Sequence, residues 1–185
     1  MKKFTIIFMA LAMLTSPLLS TGQGGQGEIN WMTLEEAVEA QKKNPKKIMM
    51  DVYTKWCGPC KMLDKNTFHH ADVAAYVNKN YYPVKFDAEH PDPIVFNGQT
   101  YSNPNYVPNK AGRNGVHELS RAMGVSAYPT IVFLDEQQQM IIPLKGYKTP
   151  QDLELYLKFF YADEHKNVTT QEQWEAYRNN FTATW

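Results

Sequence analysis

Apolar residues recur along this chain with two alternating periods, and the points where the period changes mark its elements. Thr33-Leu34-Glu35-Glu36 has the form of a capping box, in which the threonine oxygen serves the amide three residues on and the glutamate reaches back. It predicts a helix to about Lys43 that stops before Pro45. Ile48 to Tyr53 is a short apolar run flanked by lysines, the pattern of a strand buried on both faces, and only Asp51 interrupts it. Helical spacing resumes after Cys57 to about Phe68, and again from Asp72 to Asn78, where Val73, Tyr76 and Val77 share one face. Tyr81–Asp87 and Thr130–Leu134 read as strands, with a short helix over Val116–Met123 between them. A turn over Asp135–Gln139 leads to a strand from Met140 to Leu144. Thr149-Pro150-Gln151-Asp152 then places a cap before a proline at the first helical position. Leu153, Tyr156, Leu157 and Phe160 form one stripe of the helix that follows. Strands interleaved with helices, closing on a hairpin and a helix, predict an α/β sandwich over residues 31–162.

Two segments exceed that minimal sandwich. Residues 88–115 hold four of the 11 prolines, and Asn97-Gly98 sits between Ile94-Val95-Phe96 and Gln99-Thr100-Tyr101. Asn-Gly between β-prone triplets is the signature of a type I′ hairpin, so an insertion with its own small hairpin is expected; the alternative is a disordered surface loop. In the tail, residues 163–185, Trp174, Tyr177, Phe181 and Trp185 follow at spacings of three, four and four. That is one stripe of a helical extension, docked on its own domain or open to a partner.

The N-terminus orders a basic pair, Lys2-Lys3, an apolar run from Phe4 to Leu14, and small residues ending near Gly22. This is the sequence of a secretory signal peptide over residues 1–22, with residues 23–30 as a flexible linker. An uncleaved anchor or a buried core helix is the alternative, but Phe4–Leu19, broken by Pro17, is short for a membrane span. The expected product is exported, periplasmic or secreted, with no stable membrane insertion after cleavage. Over the 185 residues Lys+Arg number 19 and Asp+Glu 19. That balance lacks the positive surplus a phosphate backbone demands, so nucleic acid is not an expected partner.

The two cysteines of the chain both lie in Trp56-Cys57-Gly58-Pro59-Cys60-Lys61. No third cysteine offers another bond, so Cys57–Cys60 is the one intramolecular disulfide available. If Gly58 and Pro59 open the helix after the Ile48–Tyr53 strand, Cys57 stands at its N-terminus, where free amides and the helix dipole favour thiolate. Cys57 is then the attacking nucleophile and Cys60, a turn inside, the resolving thiol. Asp51, in an apolar strand six residues before Cys57, should be desolvated with a raised pKa and placed to take the proton of Cys60. Its plainer reading is a carboxylate satisfied by a backbone or lysine hydrogen bond. A zinc site is disfavoured because His69-His70, eight residues on, do not complete a four-ligand spacing. No nucleotide fingerprint is present, so the dithiol/disulfide is the only redox group expected.

These residues together with Tyr128-Pro129-Thr130 before a strand and Gly146 after the next one resemble the thioredoxin superfamily over about residues 46–160. The segment from Cys60 to Phe68, with Val73 and Val84-Lys85-Phe86-Asp87, is most similar to exported thioredoxin-related proteins and the C-terminal domain of membrane reductant transporters. The resemblance implies a thioredoxin-like fold, a central mixed sheet with helices on both faces. It also implies a cis Tyr128–Pro129 bond, Pro129 opposite Cys57, and a substrate groove flanked by Trp56 and Tyr128 beside Gly58 and Pro59. The sequence departs from the family at Lys65, Tyr53 and Tyr128. The lysine that usually neighbours the buried aspartate has no clear counterpart, since Pro83 stands at the expected position. The function implied is an exported protein-disulfide reductase served by a membrane electron-transfer partner. A disulfide oxidase or isomerase, or a binding module using the insertion and tail, is the alternative.

Overall fold

The computed structural model describes residues 27–185; the expected signal peptide and the first part of the linker lie outside them. Four strands form a mixed sheet in the order β2-β1-β5-β6: β1 Lys47–Tyr53, β2 Tyr81–Asp87, β5 Thr130–Leu134 and β6 Met140–Lys145. β1 runs parallel to β2 and antiparallel to β5, which is antiparallel to β6. Side chains alternate across the pleat, so Ile48, Met50 and Val52 enter one core and Met49 the other. The first core is closed by α1 (Leu34–Lys43) and α4 (Glu118–Ala122), the second by α2 (Gly58–Leu63), α3 (Ala71–Asn80) and α5 (Pro150–Tyr161). With both faces covered, β1 must be apolar along its interior, where Asp51 is the exception; Lys47, buried at its start, is paired with Glu136 at 2.8 Å.

Local signals explain where the helices start. Thr33 and Thr149 close capping boxes with Glu36 and Asp152. α2 does not run on as α-helix to Phe68; it widens into a π-helical turn over Asp64–Phe68. Such turns add a residue per hydrogen-bonded ring and shift the side chains beyond them.

The insertion is ordered. β3 (Ile94–Phe96) and β4 (Gln99–Tyr101) pair antiparallel around Asn97 and Gly98, both at positive φ as a type I′ turn demands. Ile94 and Phe96 enter the α1/α4 core while Val95 points out. His117, buried at the start of α4, accepts from the Leu119 amide through Nδ1 and bonds the Asp92 carbonyl through Nε2 at 3.1 Å.

Two sequence expectations are corrected. The stretch from Gly27 to Asn30, read as flexible linker, lies on the domain: Ile29 is buried, the Gly27 amide donates to His69, and Asn30 and Glu28 bond Asn78. The chain continues to Met32, which bridges Val84 and covers the outer edge of β2. The tail's aromatic residues do not form one helical stripe. α6 spans Gln171–Asn180 and carries Trp174 and Tyr177, whereas Phe181 caps it and Trp185 lies beyond. Trp174, Tyr177 and Trp185 nevertheless pack on the α2/α3/α5 core. Trp185 arrives there because Glu154, fully buried on α5, accepts from the amides of Thr184 and Trp185 at 2.7 and 3.1 Å and from the Thr184 hydroxyl.

Candidate active site

β1 ends at Tyr53 and the chain turns through Thr54–Trp56 into α2, whose N-cap is Cys57. Gly58 and Pro59 occupy the first helical positions, where a missing N–H forfeits no bond. The Cys60 amide donates to Cys57 Sγ at 3.1 Å, so the sulfur sits where a cap oxygen ordinarily would. Cys57 and Cys60 form a disulfide with Cα atoms 5.3 Å apart. Burial does not distinguish the two cysteines, at 3% and 6% exposed; their positions on the helix do.

Beneath the disulfide, Asp51 is 2% exposed and its Oδ1 has no hydrogen-bond partner. Burial pushes its pKa up to about 7, with a nearby Lys85 ammonium opposing and Asp64 adding to the rise. Lys85 is the lysine that the sequence reading found missing. The parallel register sets it directly beside Asp51 on β2, two residues beyond Pro83, with Nζ 3.6 Å from Asp51 Oδ2. The count along the sequence reached the correct face of the strand but not the correct rung.

Lys85 also pairs with Asp64, carried on the π-helical turn, and lies over the rings of Trp31, Tyr53 and Phe68. Asp64 was not anticipated from sequence, because its place depends on the widened turn. Asp51, Asp64, Lys85 and Cys60 line one cavity of about 270 Å³, closed further by Tyr53, Thr54, Lys55 and Lys61. Cys60 and Asp51 thus face one cavity, and the carboxyl on its wall takes up a proton near neutrality.

Tyr128–Pro129 is a cis peptide bond, directly ahead of β5, and the Pro129 carbonyl accepts from Gly146 at 2.8 Å. Tyr128 meets Trp56 edge to face at 5.9 Å, which brings this loop to the dithiol turn. The insertion reaches the same place. Trp56 Nε1 donates to Glu89 at 2.8 Å, and the Arg113 guanidinium lies 4.6 Å from the centre of its ring. Glu89 and Arg113 were not singled out from sequence, which marked only the insertion and its hairpin. Among the described residues no cluster of His, Cys, Asp and Glu could hold a metal ion, and no helix is long and apolar enough to cross a membrane.

Comparison with known proteins agrees with this layout. A thioredoxin-fold protein from Helicobacter pylori superposes with a TM-score of 0.57 at 16% identity, covering 74% of this chain and 82% of its own. A thioredoxin from Thermus thermophilus gives 0.53 at 16% identity, covering 72% and 87%. No curated protein matches the sequence. The thioredoxin-like domain family matches residues 34–161, from the first capped helix through the sheet and dithiol turn to the end of α5, and the chain belongs to that family.

Proposed function

We propose that the protein is an exported thiol:disulfide oxidoreductase that reduces disulfides in protein substrates, its dithiol recharged by a membrane electron-transfer partner. One observation carries the reading: Cys57 caps α2 while Cys60 shares a cavity with Asp51, a carboxyl of pKa about 7. In the reduced protein the helix start favours Cys57 thiolate, which attacks one sulfur of a substrate disulfide. The Cys57–substrate bond forms, the substrate S–S bond breaks, and the departing thiolate takes a proton from water. Asp51 accepts the Cys60 proton across the cavity, directly or through one water. Cys60 thiolate then attacks Cys57 Sγ, closing Cys57–Cys60 and expelling the second substrate sulfur as thiolate. Two electrons have moved to the substrate, and no redox group besides the dithiol is needed.

Trp56 and Tyr128 flank the dithiol turn in this reading, with Gly58, Pro59 and the Pro129 loop shaping the groove for an extended substrate. A partner-holding module is the weaker reading, since the aromatic tail packs on its own core.

The test is the equilibrium potential of Cys57–Cys60 against glutathione buffers, run alongside exchange with a protein disulfide. A value of about −250 mV or lower supports a reductant, and one above about −180 mV an oxidase or isomerase. Unchanged exchange in Cys57→Ser would overturn the mechanism.

A further inference from the structure

The insertion does more than border the dithiol. Glu89 is buried, and its Oε1 accepts both from the Trp56 indole and from the Asn114 amide, at 2.8 and 2.7 Å. One carboxylate oxygen thus joins the tryptophan before Cys57 to the far end of the insertion. Around it the loop is fixed. Asn114 exchanges hydrogen bonds with the Val107 backbone in both directions, at 2.8 and 2.9 Å. Gly115 lies so close to the Asn105 backbone that any side chain there would collide with it, and the Asn103 amide ties the Gly115 and His90 carbonyls together. Gly112, at φ +78°, supplies the left-handed turn that delivers Arg113 to the ring of Trp56.

That rim holds more than one unpaired cation. Arg113 is exposed and has no carboxylate in ion-pair range among the described residues. Lys61, exposed after the dithiol motif and lining the cavity, likewise has none, whereas Lys55 before the motif is paired with Asp87 at 3.6 Å. Of the acids around the motif, Asp87 and Asp64 are paired with Lys55 and Lys85, while Glu89 is held by the neutral donors of Trp56 and Asn114. Residues 27–185 as a whole carry 17 basic and 19 acidic side chains, so a cationic rim here is a local arrangement.

We propose that Arg113, held on Trp56 by the insertion, is a specificity-determining residue that selects protein segments with carboxylates beside the disulfide to be reduced. The inference rests on the oxidoreductase reading above and names its substrate class. A rim charge of this kind acts on encounter and is screened by salt. A fixed guanidinium also adds planar hydrogen bonding to a carboxylate that a mobile lysine does not match.

The experiment uses the reduced full chain and two cyclic peptide disulfides, identical except for two residues beside one cysteine, Glu in one and Lys in the other. Hydroxyethyl disulfide serves as a small neutral probe. The expected result is a second-order rate constant about tenfold higher for the Glu peptide at low salt, with the ratio collapsing towards one at about 0.5 M salt. Arg113→Gln should bring the ratio towards one without salt, and Arg113→Glu should reverse it. Equal rates for the two peptides in the wild type overturn the inference, as does a preference that survives in Arg113→Glu. Reaction with hydroxyethyl disulfide in either case leaves the oxidoreductase reading standing. Failure with all three disulfides removes that reading and this inference together.

Discussion

Asp51 and Glu154 are both almost fully buried, at 2% and 0% exposed, yet their surroundings drive them in opposite directions. Asp51 has one ammonium at 3.6 Å, shared with Asp64, and an oxygen without a partner. Burial prevails, and the carboxyl is pushed up to about 7. Burial also opposes the charge on Glu154, but Lys158, the Thr184 hydroxyl and two backbone amides outweigh it and hold that carboxyl below its ordinary range. Glu154 is covered only by the exposed tail, so depth and donor supply together decide whether a buried acid is a proton carrier or a clamp. The first sits under the dithiol and the second fastens the tail.

The contrast can be broken at either end. The largest effect should come from Asp51→Asn, which removes a charge the fold holds at a disadvantage. Between pH 3.8 and about 7 the folded carboxyl is protonated while the unfolded one ionises. Stability from this residue is therefore full below about pH 4 and declines as pH rises to about 7. At pH 8 the variant should gain roughly 4 kcal/mol in urea unfolding, a gain that vanishes near pH 4. The same change should slow closure of the mixed disulfide by about 10²-fold at pH 7 and flatten its pH profile, read by stopped-flow exchange. A slower, more stable variant fits a carboxyl kept for chemistry; a destabilised one would return Asp51 to a structural role.

Glu154→Ala should move stability the other way, by about 2 kcal/mol, because the Thr184 and Trp185 amides and the Lys158 ammonium lose their charged acceptor. Hydrogen exchange should then show Thr184 and Trp185 released while the dithiol potential stays put. The pH dependence is opposite to that of Asp51: a lowered carboxyl contributes stability above its unfolded value of 4.5 and loses it as pH falls through the folded value. Acid titration of wild type against Glu154→Ala should thus converge at low pH. The smallest effect is expected from Thr149→Ala on the same helix, where an exposed capping box with Asp152 contributes about 1 kcal/mol. A larger loss there than at Glu154 would mean that the helix start, and not the clamp, keeps the tail in place.

Features set by neighbouring residues were legible in the sequence. Capping boxes, the Asn97-Gly98 hairpin, a doubly buried strand and the dithiol at a helix start each depend on a few adjacent positions. What was missed depends on distant pairing. Lys85 is found only through the rung it shares with Asp51, and Asp64 only through the π-helical turn. Glu154 stands between Leu153 and Leu155 on a helix whose stripe gives no reason to bury an acid until the chain returns 30 residues later. The start of α6 was readable and overlooked, since Thr170 and Gln173 form a capping box.

The placement of residues 88–115 has a consequence in polymer terms. β1 and β5 pair across a connection running from Tyr53 to Thr130, and the insertion lies wholly within it. Lengthening such a connection from about 50 to about 80 residues adds only about 0.4 kcal/mol of closure entropy, because that term grows with the logarithm of length. The larger demand is ordering the added residues themselves, which Ile94, Phe96 and the hydrogen bonds of Glu89 meet locally. Sequence can therefore accumulate and diversify at this strand end with little effect on the assembly of the central sheet.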